Sequence, residues 1–525
     1  MSQAAQQLPA TAAVRAGSVE HWAQTRPDVV AFVEGARTLT WRETNEQADR
    51  LAAALAARGV KAGDVIGVRT QIRIEWPVID AALAKLGATV LGMNWRLTPA
   101  EVEYVLGDSG AAGLICDDPH PELLLPALSG CDLKATISID AEATGFANWR
   151  AILATPADAP RLSRQPAGLV IYTSGTTGRP KGVGQNRITP ANAARVGEYY
   201  ASIAARSPRG MDDVILCTMP FSHGAGPGLV RGGVNAGATM ILQRRFDPIE
   251  VLELIRKHRV TIWTGVPTML KRIAALGDAA MTHYDLSSMR ALHTGAAPVP
   301  PSLKQWARRH FGETLHEAYG ATEVGMIAHL TPDMQKVRPA SSGYPYRHVE
   351  VSVRDQRGRE LPAGAAGELW IRTPVTIRNY LNAPGLGRDT LDADGFFRVG
   401  DVGYVDEEGY IFITDRMKDM IISGGVNIYP AEIEAVLIRH PAVQDVAVIG
   451  VPDEEFGESV KAFVEIGPGA TLAEGELAAF AREALASYKR PKSIDIVDEL
   501  PRNTMGKILK RELRAPYWKD RDRQV

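Results

Sequence analysis

Hydrophobic and polar positions along the first part of the chain follow two alternating periods. Helical spacing of the apolar residues at 40–58 and 76–86 is interleaved with short apolar runs at 64–68 and 88–92. Helices and strands that alternate in this way build parallel sheets, with the helices packed on the faces of the sheet. The pattern therefore predicts a layered α/β body.

The same rhythm returns in the segment 247–263. Asp247 can cap a helix through its carboxylate, and Pro248 suits the first helical turn, where an N–H is not needed. A strand is expected directly afterwards, at 260–263. The apolar residues expected to share the buried face of this helix are Ile249, Leu252 and Ile255.

Beyond about residue 416 the pattern changes to a more compact block. It predicts a helix from Pro430 onward, and then two strands and a second helix at 445–451, 460–466 and 477–488. A chain of 525 residues exceeds what one hydrophobic core normally serves. We therefore expect a disordered N-terminus, a large α/β domain with several sheets and a smaller, mobile α+β domain, at 1–16, 17–416 and 417–525.

The composition excludes a general electrostatic attraction to nucleic acid or to an anionic membrane. Lys and Arg total 59 residues against 61 Asp and Glu, so any polyanion must be bound locally. No apolar run is long enough to cross a bilayer. Cys116, Cys131 and Cys217 lack metal-site spacing, which favours small buried hydrophobes in a reducing, cytoplasmic protein. The oligomeric state stays open, a homodimer included.

A loop rich in glycine and hydroxyl groups follows the apolar run 168–172 and extends to residue 182. Glycines let backbone N–H groups crowd around an anion, and Lys181 adds a positive charge. The common Walker phosphate loop needs Gly immediately before its Lys, whereas Pro180 stands there in this chain. The composition is typical of a phosphate-binding loop and equally typical of a mobile surface turn, so the loop alone leaves both interpretations open.

Three further segments accompany this loop. They are Tyr-Gly-Ala-Thr-Glu at 319–323, Thr-Asp-Arg-Met-Lys-Asp at 414–419 and Pro-Arg-Asn-Thr-Met-Gly-Lys-Ile at 501–508. With these segments the chain resembles, over nearly its whole length, the adenylate-forming superfamily of acyl-CoA synthetases, adenylation domains and luciferases. The resemblance implies a ligase that uses ATP to convert a carboxylic acid to an acyl adenylate, releases pyrophosphate and transfers the acyl group to CoA. The alternative is a standalone adenylation enzyme that loads an acyl carrier protein.

The resemblance assigns ATP and Mg²⁺ chemistry to particular residues. Lys507 would reach between the carboxylate and the α-phosphate, Thr322 would offer its hydroxyl to that phosphate, and Glu323 would hold Mg²⁺. Tyr319 would lie against the adenine, and Asp401 would accept the ribose hydroxyls. Apart from the motifs, such residues are also typical of ordinary solvated loops. The set implied for ATP is Thr173, Ser174, Gly175, Thr176, Thr177, Gly178, Lys181, Gly295, Ala296, Ala297, Tyr319, Gly320, Thr322, Asp401, Arg416 and Lys507.

The resemblance also implies a second half-reaction, for which the small domain swings about a hinge at Lys418. Lys507 would be withdrawn, and Gly425 would line the channel for the pantetheine thiol. Val426 stands where the family commonly has Glu, which weakens the transfer of a thioester-step role to that position. The residues implied for CoA are Arg96, Gly424, Gly425, Phe456, Arg490 and Lys492.

The residues implied for the acid pocket are His223, Trp263, Gly295, Ala318, Gly320 and Met326. His223 would border the acid and completes a catalytic set of Lys507, Thr322, Glu323 and His223. No Asp lies between residues 220 and 229 to pair with a substrate ammonium, so an amino acid is disfavoured. Trp263 would shorten or flatten the cavity, which favours a short or medium-chain, branched, cyclic or aromatic acid over a long fatty acid.

Overall fold

The structure is a computed structural model that describes most of the chain. The described residues are 14–160, 162–163, 165–173, 180–184, 189–297, 299–383, 385–423, 426–467, 469–473, 475–503 and 506–519. Residues 1–13 of the N-terminal segment that we predict to be disordered lie outside this set. The predicted site residues outside it are Ser174, Gly175, Thr176, Thr177, Gly178, Gly424 and Gly425.

Strands and helices alternate along the described residues. The strands are β1 (Val30–Glu34), β2 (Arg37–Thr40), β3 (Val65–Arg69), β4 (Thr89–Met93), β5 (Gly113–Cys116), β6 (Ala135–Ser138), β7 (Ala147–Asn148), β8 (Gly168–Thr173), β9 (Lys181–Gly184), β10 (Val214–Cys217), β11 (Thr239–Leu242), β12 (Ile262–Thr264), β13 (Ala291–Gly295), β14 (Leu315–Ala321), β15 (Gly325–Leu330), β16 (Tyr344–Pro345), β17 (Glu350–Arg354), β18 (Gly367–Arg372), β19 (Phe397–Val405), β20 (Ile411–Arg416), β21 (Ile421–Ser423), β22 (Val426–Ile428), β23 (Val443–Asp453), β24 (Gly457–Ile466) and β25 (Ser493–Val497). The α-helices are α1 (Val19–Thr25), α2 (Trp41–Ala57), α3 (Glu75–Leu86), α4 (Pro99–Ser109), α5 (Leu125–Leu128), α6 (Trp149–Ala154), α7 (Ala193–Arg206), α8 (Ala225–Ala236), α9 (Pro248–His258), α10 (Pro267–Ala274), α11 (Asp278–Met281), α12 (Pro301–Phe311), α13 (Pro332–Val337), α14 (Pro430–Leu437), α15 (Glu476–Ala484) and α16 (Lys510–Trp518).

One sheet of the large N-terminal body has the strand order β7-β6-β5-β3-β4-β8-β9. Its neighbouring strands run parallel, apart from β9, which is antiparallel to β8. The predicted alternation is confirmed here, because α3 connects the adjacent parallel strands β3 and β4. Thr173 at the end of β8 is the register partner of Lys181 at the start of β9. The sheet therefore holds the two ends of the predicted phosphate loop side by side.

The second sheet has the order β16-β15-β14-β13-β12-β10-β11-β1-β2. The strands from β14 to β1 in this order run parallel, so their carboxyl ends meet at one edge. Gly295 at the end of β13 is paired with Ala318 of β14. This pairing places the Gly295–Ala297 turn next to the 319–323 motif, as a site at the edge of a parallel sheet requires.

Helix α9 confirms the predicted cap but corrects the predicted buried face. The Asp247 carboxylate accepts hydrogen bonds from the backbone N–H groups of Ile249 and Glu250 at 3.0 and 2.8 Å. Ile249, however, is 51% exposed, because it lies in the capped first turn and its side chain faces solvent. The residues of this helix that are buried are Val251, Leu252 and Ile255.

An antiparallel sheet of order β17-β18-β19-β20 completes the large body. Asp401 on β19 and Arg416 on β20 are register partners in this sheet. This pairing brings Asp401, the predicted ribose acid, next to Arg416, which lies two residues before the predicted hinge at Lys418.

The small C-terminal domain is built on the sheet β22-β21-β24-β23, with β25 parallel to β24. Helices α14 and α15 pack on it through Ile433, Leu437 and Leu477. Helix α15 ends at Ala484, earlier than the predicted residue 488, because Leu485 takes an extended backbone conformation and buries its side chain. Among the described helices, none is both long and apolar enough to cross a membrane.

Candidate active site

A continuous cleft of about 2010 Å³ opens beside the edge where β13 and β14 end. The predicted site residues that line it are Thr173, His223, Gly295, Ala296, Ala297, Ala318, Gly320, Thr322, Glu323, Met326, Arg416, Lys418 and Lys507. Among the described residues, the predicted ones that do not line it are Arg96, Lys181, Trp263, Tyr319, Asp401, Phe456, Arg490 and Lys492. The cleft thus brings together residues from all four sequence segments, at 168–182, 319–323, 414–419 and 501–508.

Asp401 is almost fully buried beneath the cleft wall. One of its carboxylate oxygens accepts a hydrogen bond from the Tyr319 hydroxyl at 2.6 Å, and the other lies 2.8 Å from the Arg416 Nε. Burial, with the Asp401 charge in addition, raises the pKa of Tyr319 well above its usual value, so the phenol stays a donor. A carboxylate has about four lone-pair sites, so Asp401 keeps acceptor capacity for the hydroxyls of a ribose.

The backbone of the Gly295–Ala297 turn forms part of the cleft wall. Ala296 has a φ of +65°, in the left-handed region that non-glycine residues seldom adopt. A Cβ added to Gly295 would overlap the carbonyl oxygen of Ala318 on the neighbouring strand. A ligand ring can therefore approach this turn without meeting a side chain from residue 295.

Glu323 lies in the short connection between β14 and β15 and lines the cleft. The Tyr380 hydroxyl donates to its carboxylate at 3.4 Å, and the Lys181 Nζ lies 5.0 Å from the centre of the Tyr380 ring. Burial, together with the Glu323 charge, raises the pKa of Tyr380 to about 12. Tyr380 thus connects the end of the phosphate loop to the acidic residue, a role that its loop sequence does not reveal.

Lys507 reaches the cleft on a loop of the small domain. The Asn503 side chain accepts a hydrogen bond from the Lys507 backbone N–H at 3.0 Å. Gly506 has a φ of +70°, and its carbonyl accepts a hydrogen bond from the Thr268 hydroxyl at 2.9 Å. A Cβ on Gly506 would lie 2.9 Å from the Thr268 Cβ, so the two domains are in close contact here. Sequence reasoning missed Thr268, which belongs to none of the motifs.

Burial, together with the cations of Arg416 and Lys418, lowers the pKa of Lys507 to about 8, although the charge of Asp401 opposes this shift. The amine therefore sits among like charges before any phosphate enters. An anionic ligand would relieve this repulsion. The end of the cleft at Lys507, Arg416 and Lys418, which we predict to be its nucleotide end, is electrostatically suited to phosphate.

His223, Gly320 and Met326, which we predict to border the acid, line the cleft at what we call its acid end. Burial lowers the pKa of His223, so the imidazole is neutral near pH 7. Trp263 does not line the cleft, which corrects its predicted position. It is fully buried, and its indole N–H donates to the Thr218 hydroxyl at 3.1 Å. The indole packs behind Gly265, where an added Cβ would lie 2.7 Å from the ring, so Trp263 shapes the wall only indirectly.

A row of three histidines, which sequence reasoning missed, crosses the second sheet at His293, His316 and His329. Ring nitrogens of the three lie within 4.8 Å of one another. His316 and His329 share a hydrogen bond of 2.9 Å, and burial holds their pKa values at about 4 and about 3. His293 lines the cleft and shares a 2.8 Å bond with the Ser207 hydroxyl. The nitrogens bond one another and nearby hydroxyls, which gives the wall at His293 a fixed, neutral polar surface. Only the strand register brings these residues together, so no local sequence signal marks them.

The predicted CoA residues are only partly brought together. The Lys492 Nζ lies 2.7 Å from the Asp453 carboxylate and 4.8 Å from the centre of the Phe456 ring, which is 41% exposed. Arg490 donates to backbone carbonyls at the end of α15, at 2.9 and 3.1 Å. The Arg96 guanidinium lies 4.3 Å from the centre of the Trp95 ring. Phe456 and Lys492 thus form a surface pair, while Arg490 and Arg96 have other contacts.

Lys418 lies in a 3₁₀ turn, Met417–Asp419, directly after β20. Its carbonyl accepts a hydrogen bond from the buried Arg514 of α16 at 3.0 Å, and the Asp419 carboxylate pairs with the same guanidinium at 2.9 Å. Burial, with nearby cations, lowers the pKa of Lys418. The turn between the domains is therefore held by a side chain that lies far along the chain.

Comparison with known proteins agrees with this geometry. The chain matches the family model described as AMP-binding enzyme over residues 19–381 and the AMP-binding enzyme C-terminal domain over 432–507. It is 35% identical to a fatty acid–acyl-carrier-protein ligase of Streptomyces coeruleorubidus, over 96% of each chain. It is 36% identical to a 2-succinylbenzoate–CoA ligase of Geobacillus kaustophilus, over 95% of this chain and 98% of that protein. The structure of ATP-bound MatB from Rhodopseudomonas palustris superposes with a TM-score of 0.83 at 30% identity, over 96% of this chain and 99% of that one. The chain therefore belongs to the AMP-binding family of adenylate-forming enzymes, which activate acids with ATP.

Proposed function

We propose that this protein is an acid–thiol ligase that forms an acyl adenylate from a carboxylic acid and ATP, and then transfers the acyl group to CoA. The observation that carries the proposal is the seating of Lys507, from the small domain, in the cleft of the large body beside Arg416. A lysine charge brought in by a separate domain can offset the repulsion between a carboxylate and a triphosphate. The ATP-bound relative supports nucleotide binding in the same fold.

In the first half-reaction a carboxylate oxygen attacks the α-phosphorus of ATP. A new P–O bond forms, the bond from the α-phosphorus to the bridging oxygen breaks, and pyrophosphate leaves. Lys507 would stabilise the charge that develops between the two anions, and the Thr322 hydroxyl would donate to the α-phosphate. Asp401, held by Tyr319 and Arg416, would orient the ribose.

Glu323 fits the role of Mg²⁺ ligand. Among the described residues, its carboxylate has one hydrogen bond, the 3.4 Å contact with Tyr380, and it faces the cleft. Carboxylate oxygen is the donor that Mg²⁺ prefers, and the ion would neutralise charge on the phosphates when bound. Tyr380 would fix the orientation of the carboxylate.

In the second half-reaction the thiol sulfur attacks the acyl carbon of the adenylate. The C–S bond forms, the C–O bond to the phosphate breaks, AMP leaves, and the thiol proton passes to solvent. We infer that the small domain first pivots at Lys418, so that Gly425 replaces Lys507 at the site. The exposed pair of Phe456 and Lys492 offers a stacking surface and a cation to CoA.

The second candidate acceptor is the thiol of an acyl carrier protein. It is favoured by the similarity to a ligase that acts on an acyl carrier protein, whereas the 2-succinylbenzoate ligase acts on CoA. On the acid side, we propose a short or medium-chain, branched, cyclic or aromatic acid. Support comes from the wall at Gly265, which is backed by Trp263.

The test is a panel of carboxylic acids with three readouts: pyrophosphate release, CoA thioester and carrier-protein thioester. We expect pyrophosphate with at least one acid, and faster turnover when CoA is present. If thioester formed only on the carrier protein, the acceptor would be the carrier protein and not CoA. If no acid in the panel led to pyrophosphate release, acid activation would be contradicted. Phe456→Ala and Lys492→Ala should raise the KM for CoA about 3- to 10-fold and leave the KM for acid unchanged.

Gly425→Leu tests the channel separately. We expect adenylate formation to persist while thioester formation is lost, because the side chain would block the thiol path. Gly197→Leu is the matched control, since Gly197 is exposed on α7 and an added Cβ there meets nothing within 4 Å. Normal CoA turnover by Gly425→Leu would contradict the channel assignment.

A further inference from the structure

Arg209 is a charged residue of the cleft, and its guanidinium has no partner among the described residues. It follows α7, lines the cleft and is half-buried. Among the described residues, no hydrogen bond, ion pair or aromatic ring contact satisfies its guanidinium. A buried cation without a partner is costly to a folded protein, and such groups are usually paired.

Asp213 is the acidic side chain with the strongest electrostatic influence on Arg209, but its carboxylate is already paired with other groups. Its carboxylate accepts bonds from Arg290 at 2.8 and 2.6 Å, from the Thr261 hydroxyl at 2.7 Å and from the Gly210 backbone at 2.8 Å. Asp213 therefore neutralises Arg290 and leaves the charge of Arg209 for another anion.

The packing around Arg209 keeps its guanidinium in the cleft. A Cβ added to Gly232 of α8 would overlap the Arg209 Nη1, so the guanidinium lies directly against the helix backbone at this glycine. Gly232 and Gly228 of the same helix both line the cleft, and a Cβ on Gly228 would meet nothing within 4 Å. The helix thus leaves open space in front of the charge.

The neighbouring wall is polar as well. His293 lies close enough to Arg209 for the cation to contribute to its lowered pKa, after burial and His316. Thr294 lines the same cleft, and its buried hydroxyl has no hydrogen-bond partner among the described residues. An apolar acyl tail would leave the guanidinium unsatisfied, whereas an anionic group could accept from it.

We propose that Arg209 binds a second carboxylate of the acid substrate, distant from the carboxylate that is activated. The substrate class is then a dicarboxylic acid, of which one end is adenylated at Lys507 and the other end is held by a charge-assisted bond to Arg209. This inference rests on the proposed acid activation and specifies its substrate. The guanidinium fork matches carboxylate geometry and selects it over an amide or an ester.

The test compares sets of three related acids, namely a dicarboxylic acid, its monoamide and the corresponding monocarboxylic acid, in aliphatic and aromatic series. Pyrophosphate release gives kcat/KM, and calorimetry gives the affinity for the unreacted acid. In the wild type we expect one dicarboxylic acid to exceed its monoacid and its monoamide about 30-fold or more in kcat/KM. Arg209→Met should abolish this preference and leave turnover of the monoacid unchanged or higher, and Arg209→Lys should keep part of the preference.

Two measurements separate a binding role from a structural one. Because the unpaired cation costs free energy, Arg209→Met should melt at the same temperature as the wild type or above it. A clear decrease in Tm would assign Arg209 to structure and overturn the proposal. Arg195→Met is the matched control, an exposed arginine on α7 that should change neither the preference nor the Tm.

The failure of this inference is distinct from failure of the proposed function. If monoacids supported pyrophosphate release from ATP as fast as every dicarboxylic acid, the Arg209 proposal would be overturned and acid activation would stand. If no acid releases pyrophosphate, acid activation fails, and calorimetry still decides on Arg209. Tighter binding of a dicarboxylic acid to the wild type than to Arg209→Met would support the proposal, and equal binding would overturn it.

Discussion

The nucleotide end and the acid end of the cleft differ in how the charge of one enclosed side chain is paired. At the nucleotide end, Asp401 is buried, and each of its carboxylate oxygens already has a protein partner, Tyr319 or Arg416. At the acid end, Arg209 is half-buried, and no described residue pairs with it. The charge of Asp401 is paired within the fold, whereas we propose that the charge of Arg209 is paired by the substrate.

This difference indicates which charges of the site are paired by the protein itself and which are left to be paired by the substrate. A charge paired within the protein has a fixed position before the ligand arrives, which favours a nucleotide of constant shape. A charge without a partner gives its full interaction to whichever ligand supplies the opposite sign, and it penalises ligands that do not. The acid end is therefore where this chain would express its own specificity.

The largest effect is expected from Lys507→Ala. Removing the cation that reaches between carboxylate and phosphate should lower the rate of adenylate formation about 10²- to 10³-fold. Thioester formation from a supplied acyl adenylate should be largely unchanged, because Lys507 is proposed to be withdrawn in that step. Lys336→Ala, at an exposed lysine of α13, is the control. An equal loss in both half-reactions would contradict the division of roles.

Asp401→Asn should have the next largest effect. The amide keeps the size of the side chain but loses the charge that pairs with Arg416, so we expect kcat/KM for ATP to fall about 10- to 100-fold. The KM for the acid should stay constant, since Asp401 lies at the nucleotide end. Tyr319→Phe removes a single hydrogen bond and should show a smaller loss in the same parameter. A change confined to the KM for the acid would break the comparison between the two ends.

The pH dependence of adenylate formation should report the charge of Lys507. Its pKa is lowered to about 8, and the protonated amine is the active form, so kcat/KM for ATP should be constant below that value and fall above it. The decrease should approach about tenfold per pH unit. Lys507→Arg stays charged and should lack this limb. A wild-type profile that remains flat through pH 8 to 10 would contradict the assignment.

Local signals predicted much of this molecule, and the exceptions at the cleft depend on tertiary structure. The alternation around β3, α3 and β4 and the cap at Asp247 depend on neighbouring residues, and both are confirmed. The position predicted for Trp263, in the acid cavity, is wrong. Neighbouring residues of β12 are buried on both faces, so the sequence pattern of this strand does not show which face meets a cavity. Four features missed by the sequence are brought to the cleft only by tertiary packing and strand register: Thr268, Tyr380, Arg209 and the histidine row.

The smallest effect is expected from Thr268→Val, which removes the hydroxyl that bonds Gly506 across the domains and keeps the shape of the side chain. The loss of one neutral hydrogen bond should slow adenylate formation about 2- to 10-fold. Thioester formation from a supplied adenylate should not change, because that contact belongs to the pose that presents Lys507. Thr282→Val is the matched control, since the Thr282 hydroxyl bonds only a local, exposed carbonyl among the described residues. If Thr268→Val slowed both steps alike, the contact would stabilise the protein in general rather than the pose that brings Lys507 to the nucleotide end.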